Sequence, residues 1–449
     1  MEEDSRAISK NLLTTGSIQK RIVKFAVPIF IGNLFQQLYN AVDSLIVGNE
    51  IGSNALAAVS GSGSLLFMAI GFFNGISIGA GVVIARHIGA KNPVKTEEAV
   101  HSTVALGLLF SVLMTILGVL FTPQLLTLMR TPINAFEESV TYVRIYFAGS
   151  LGFVMYNTFV GILQAAGNSK SPLYYLIISS GINVVLDIVL IKFLGFGVGA
   201  AAFATAVSQL ISAILCMINL MRTKEAYGLK LSRIRFDKKQ TVEIIRFGLP
   251  TGLQNSIMAF SNVVIQSYIN DFGEFATAGI GAYIKIEGFV FIPITSFSMA
   301  ITTFVSQNIG AGEYERAKKG VTFTMLVTVI SAETLGMLLF IFAEPLIALF
   351  DATPEVVAFG AGRARVVCPF FICCAFTHFM AAVMRGVGKP VLPMVVFLTC
   401  WCVVRVAILK IAAEVIGKSI QTTYWVYPIT WILSTVVLFI SYRRIKFRN

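Results

Sequence analysis

Residues 22–47 read IVKFAVPIFIGNLFQQLYNAVDSLIV. About 20 apolar residues suffice to cross a bilayer as a helix, and this stretch is long enough. It nevertheless carries Pro28 near its start and Asp43 near its end. Between them polar residues recur at Asn33, Gln36, Gln37, Asn40 and finally Asp43 and Ser44. A spacing of three to four places them on one helical face. An Asp at the centre of a spanning helix costs roughly 2.5–3.5 kcal/mol on insertion scales. Asp43 is therefore expected to face a bundle interior or a wet cavity, as a functional residue.

The rest of the chain has the same character. Of 449 residues, 56% are hydrophobic and 13% charged, about half the charge of a soluble domain. Apolar runs of spanning length recur near 22–47, 56–85, 100–121, 140–165, 172–194, 198–221, 243–269, 279–306, 320–343, 357–384, 391–414 and 421–442. The fold class is an all-α polytopic membrane protein with twelve transmembrane helices. GFGVG at 195–199 leaves room only for a tight turn between the fifth and sixth. The six cysteines all fall in apolar runs and read as small core residues. The three histidines show no metal-ligand spacing.

Lys and Arg set the orientation. They cluster in the tail (Arg6, Lys10, Lys20), after the second run (Arg86, Lys91, Lys95), in the central linker, after the eighth run (Arg316, Lys318, Lys319) and at the C-terminus (Arg443, Arg444, Lys446, Arg448). The loops between are neutral or acidic. Both termini are expected in the cytoplasm, and the polar first twenty residues read as a cytoplasmic tail rather than a signal peptide. The formal net charge of +12 reads as topology and contact with anionic membrane lipids, with no nucleic-acid partner.

One offset runs through the sequence. Lys24-Phe25 and Pro28 recur as Arg246-Phe247 and Pro250, and Asn33 and Asn40 as Asn255 and Asn262. Ile88-Gly89-Ala90 recurs as Ile309-Gly310-Ala311, Thr131-Pro132 as Thr353-Pro354, and Gly167 and Pro172 as Gly388 and Pro393. This predicts two pseudo-symmetric six-helix lobes, residues 1–221 and 243–449, joined by a basic cytoplasmic linker at 222–242. Six is even, so the pseudo-axis runs along the membrane normal. Two such bundles suit alternating access around a cleft.

The halves differ in their acids. Asp43 is matched by Ile265 in the second half. Asn183 and Asp187, spaced i,i+4 and so on one face, are matched by Val404 and Ile408. Thr205 adds a hydroxyl. Two carboxylates in a low-dielectric bundle do not both stay ionised without a compensating cation. They take up a proton, or hold Na⁺ through carboxylate, amide and hydroxyl oxygens.

The pattern Pro28, Tyr39, Asp43 within QLYNAVDSLIVG, with Asn183, Asp187 and Thr205, resembles the MATE (multidrug and toxic compound extrusion) antiporters, in particular their DinF-like branch. The likeness covers nearly the whole chain. It implies an ion-coupling site for H⁺ or Na⁺ at Asp43, Asn183, Asp187, Thr205 and Tyr39, with no other cofactor, and a helix that bends at Pro28. It implies a multi-pass protein of the cell membrane, a monomer and not an enzyme, exporting organic, cationic amphiphilic drugs. Gln36, Asn40, Tyr142, Asn157 and Glu287 are candidate cavity residues. Glu287 is read first as a structural partner of Arg405, His378 or another group. Glu333 has no assigned role. Helix seven, from Phe247 to Ile269, has no acid, so the C-lobe cation site of other branches is not carried over. The rival reading is a flippase for a lipid-linked or polysaccharide precursor, with Arg405, Lys285 and Lys410 meeting phosphate. The sequence has no HExxH or GxSxG motif of an enzyme.

Overall fold

A computed structural model describes residues 12–51, 53–129, 131, 133–415 and 417–444. Arg6, Lys10, Pro132, Lys446 and Arg448 lie outside them, as does the side chain of Ser44. The described residues are helical, with short turns. The twelve runs form α1 (Ile18–Glu50), α2 (Ser53–Gly89), α3 (Pro93–Leu128), α4 (Ile133–Ala148 and Ser150–Ala165), α5 (Lys170–Asp187) and α6 (Gly199–Arg222). The second half forms α7 (Lys238–Asn270), α8 (Glu274–Gly310), α9 (Tyr314–Ile341), α10 (Pro354–Val367 and Phe371–Val387), α11 (Val391–Val396 to Arg405–Val415) and α12 (Ile420–Arg443).

The repeat is visible in the elements. α1 and α7 each have 33 residues, α2 and α8 each 37, and α6 and α12 each 24. The turns match too. After α2, Asn92 N–H donates to His87 O at 3.0 Å, and after α8, Glu313 N–H donates to Asn308 O at 2.8 Å. The left-handed residue of this turn is Lys91 (φ 53°) in the first half and Gly312 (φ 76°) in the second. Only glycine enters that region without steric cost.

Four features depart from straight spanning helices. α4 bends by 48° at Gly149. α10 is interrupted by a 3-10 turn, Cys368–Phe370, which contains Pro369; proline cannot donate to the preceding turn. π-helical segments follow α5 at Ile188–Phe193 and sit inside α11 at Phe397–Val404. α1, by contrast, runs unbroken through Pro28, which is buried. Among the described residues, ten helices are long and apolar enough to span a membrane, and bent α4 adds an eleventh. The remaining long helix, α7, is more polar, with Thr251, Gln254, Asn255, Ser261 and Asn262 along it.

The chain divides into two compact units. One holds Val27–Gly252, and the other Thr14–Ala26 with the described part of Leu253–Asn449. In the first, α2 and the start of α7 cross at glycines. A Cβ on Gly75 would lie 2.2 Å from the backbone of Gly252, and one on Gly79 would lie 2.3 Å from Gly248. Each pair is spaced by four, the small-residue pattern that lets membrane helices approach closely. The connection from α6 to α7 lies against α3. His101 donates through Nδ1 to Glu97 O at 2.7 Å and accepts Lys230 N–H on Nε2 at 3.1 Å. Arg233 pairs with Glu97, and Ser102 Oγ accepts Asp237 N–H at 3.0 Å. In the second unit Glu333 acquires a role. Its Oε2 accepts Ile372 N–H at 2.8 Å, satisfying a donor freed by the break in α10.

Candidate ion-coupling site

Asp43 sits late on α1, and Asn183 and Asp187 close α5 just before its π-helical segment. Asp43, Asn183 and Asp187 all belong to the first compact unit. A π-segment widens the turn and re-aims the side chains beside it, and such segments favour functional sites. Asp187 is fully buried and Asn183 nearly so. The carboxyl groups of Asp43 and Asp187 lie against one another, within reach of a single shared proton. They are 144 positions apart in the chain, so the contact is a product of folding.

The oxygens of this pair are short of partners. Asp43 Oδ1, both carboxylate oxygens of Asp187, and both Oδ1 and Nδ2 of Asn183 are buried without a hydrogen bond to the described residues. Buried polar atoms are nearly always paired, and each exception calls for a reason. Four of these five orphans are acceptor oxygens, the kind of atom that a proton or a hard monovalent cation would satisfy. The residues present therefore fit either coupling ion.

Three phenols lie within electrostatic reach of Asp43. Tyr39 shares a hydrogen bond with Gln209 on α6 and lies within electrostatic reach of Asp43 and Asp187. Tyr142 and Tyr146 face Asp43 as well; their rings are 6.3 Å apart, and Tyr146 meets Phe153 at 5.5 Å. Thr205 is buried one turn before Gln209. Gln209 and Tyr146 escaped the sequence reading. Gln209, four residues after Thr205, was the legible signal, because i,i+4 residues share a helical face.

Gln36 and Asn40 are on the exposed side of α1. Asn157 Nδ2 donates to Phe153 O at 2.7 Å, within its own helix. Glu287 lies in the second compact unit, where its Oε1 accepts the Tyr283 hydroxyl at 3.1 Å. It is within electrostatic reach of Arg363 and Arg405. His378 is packed instead among Phe291, Phe397 and Trp401. Arg363, unnamed by the sequence reading, stands inside the apolar run of α10.

The MatE family model matches residues 28–189 and 250–409, one copy in each half. The chain is 26% identical to the probable multidrug resistance protein YoeA of Bacillus subtilis (strain 168), over 99% of this chain and 97% of that one. It is 27% identical to the probable multidrug resistance protein NorM of Thermotoga maritima, over 86% of this chain and 83% of that one. Its fold matches a multidrug resistance MATE family transporter of the MOP superfamily, solved in an outward-facing conformation. That match has a TM-score of 0.89 and 24% identity over 97% of both chains.

Proposed function

The chain belongs to the MatE family, and from that premise we propose that it is a secondary-active multidrug exporter that trades an organic compound for an inward H⁺ or Na⁺. The observation that carries this reading is the contact between the Asp43 and Asp187 carboxyls, with acceptor oxygens left unpaired. Charge in that pocket depends on what occupies it. Binding of a small cation neutralises the mutual repulsion of the acids, and its release restores the repulsion. A change of that kind biases a two-state protein toward one conformation.

The cycle has four steps. Facing outward, the transporter releases its substrate as Asp43 and Asp187 take up the ion. It turns inward, gives up the ion to the cytoplasm as it rebinds substrate, and turns outward again. Both termini lie in the cytoplasm, as the distribution of Lys and Arg supports. Pro28, which leaves one carbonyl of α1 without its helical donor, is the point where that helix can bend. The substrates are cationic amphiphiles by analogy with the drug exporters among its relatives. The chain acts as a monomer and performs no covalent chemistry.

The test is purified protein in liposomes loaded with a fluorescent cationic dye, with a pH gradient and a Na⁺ gradient imposed separately. Wild type is expected to move dye uphill under one of the two gradients. Asp187→Asn is expected to lose that movement. Uphill efflux at the wild-type rate in Asp187→Asn would overturn the coupling role. The flippase reading calls on three cations, of which Lys285 and Lys410 are exposed and Arg405 is buried. Binding of a pyrophosphate-linked lipid in preference to dye would favour it.

A further inference from the structure

A second buried charge cluster stands in the C-terminal unit, at places the duplication pairs with the acidic one. Tyr142, which faces Asp43, is 221 positions before Arg363. Val184, the neighbour of Asn183, is 221 positions before Arg405. Ile265 and Ile408 occupy the places of the two aspartates. Where the first half sets two acids, the second sets two guanidiniums.

Both guanidiniums are 1% exposed. Each lies 4.5 Å from the ring centre of Tyr427. Arg363 also lies 5.0 Å from the Tyr283 ring, and Arg405 5.0 Å from Trp401. Arg405 donates from Nε and Nη2 to Thr430 Oγ1, at 3.3 and 3.0 Å. Arg363 Nε and Nη1 have no acceptor among the described residues. Among the described residues, Glu287 is the one carboxylate within electrostatic reach of both cations. It accepts the Tyr283 hydroxyl and makes no ion pair within 4.0 Å among the described residues. Cys368, Cys374 and Tyr424 are further titratable groups nearby.

Arginine stays charged in proteins. With Glu287 ionised, the cluster carries one positive charge in excess. An unpaired buried cation is strongly unfavourable, and ring stacking offsets only part of it. Orphaned guanidinium N–H groups seek a charged acceptor, and a carboxylate is the planar one that fits. A monoanion would bring the cluster to neutrality, whereas a dianion would overshoot. The aromatic walls suit a ring-bearing molecule. Glu287 and Tyr427 are buried with the two arginines, at 8% and 9% exposure.

We infer that the Arg363–Arg405 cluster is a recognition site for the carboxylate of an amphiphilic organic substrate. This rests on the reading of the chain as an exporter of organic compounds.

The test uses two dyes that differ by one group: rhodamine 110, with a free carboxylate, and rhodamine 123, its methyl ester. Fluorescence anisotropy reads their binding to the purified full chain in detergent, with no gradient. Wild type is expected to bind the acid about tenfold tighter than the ester. Arg363→Gln is expected to bring the two dyes within about twofold of each other without weakening the ester. Arg363→Lys, which keeps the charge, should retain most of the preference. Glu287→Gln, which removes the internal carboxylate, should increase it, a direction that misfolding would not produce. Equal affinities in wild type, no binding of either dye, an unchanged ratio in Arg363→Gln or a fall in Glu287→Gln would each overturn the inference. Loss of gradient-driven efflux in liposomes would defeat the exporter reading instead, because binding here needs no gradient.

Discussion

At the residue scale, some side chains that are costly in a membrane are held where a partner explains them. Glu333 is one. Its carboxylate accepts the Ile372 N–H at the restart of α10, as an N-cap does. Glu333→Gln keeps the shape and weakens the acceptor, and Glu333→Ala removes it. Loss of a cap costs about 1 kcal/mol. Glu333→Ala is therefore expected to lower the thermal midpoint in detergent by a few degrees, with Glu333→Gln in between. An unchanged midpoint in Glu333→Ala would remove the capping role. Lys91 predicts the opposite sign. It holds φ 53° where its repeat counterpart is Gly312. Lys91→Gly is expected to raise the midpoint by relieving about 1 kcal/mol of backbone strain, as differential scanning fluorimetry would show.

At the element scale, close approach decides which substitutions the fold survives. The glycine pairs on α2 and α7 leave no space for a side chain, since a Cβ on Gly79 would meet the Gly248 backbone at 2.3 Å. Gly79→Leu is expected to abolish the monodisperse peak in size-exclusion chromatography. Gly181→Ala on α5, where a Cβ meets nothing within 4 Å, should leave that peak intact. The connection to α7 offers another test. His101 ties it to α3 through the Lys230 backbone, whereas the Arg233–Glu97 pair is exposed and such pairs contribute about 0–1 kcal/mol. His101→Ala should speed tryptic cleavage after Lys230 severalfold, and Glu97→Gln should change it little. Equal effects would mean that the surface pair holds the connection.

At the scale of the whole molecule, much of the architecture was legible because lipid imposes it. Spanning length, the burial cost of Asp43 and one recurring offset suffice for twelve helices and a duplication. The bend at Gly149 and the π-segments were not legible, and the break at Pro369 was missed. Around Gly149 and the π-segments the local sequence is compatible with a straight helix, whereas Pro369 was a local signal for the break in α10. The acidic site was half legible. Asn183 and Asp187 share a face by spacing, but the contact with Asp43 joins residues distant in the chain. Arg363 was missed for the same reason: within an apolar run it has no nearby acid to announce it, and its ring partners Tyr283 and Tyr427 come from two other helices.

The account's central claim is that Asp43 and Asp187 act as one ion site. Groups that work as a unit lose their effect together, so their substitutions are strongly non-additive. The direct measurement is a double-mutant cycle on gradient-driven dye efflux in liposomes, with Asp43→Asn, Asp187→Asn and the pair at matched protein levels. Each single variant is expected to fall to the rate of the double, at least about tenfold below wild type. Two partial losses that multiply to give the double's rate would show two independent contacts and contradict the account.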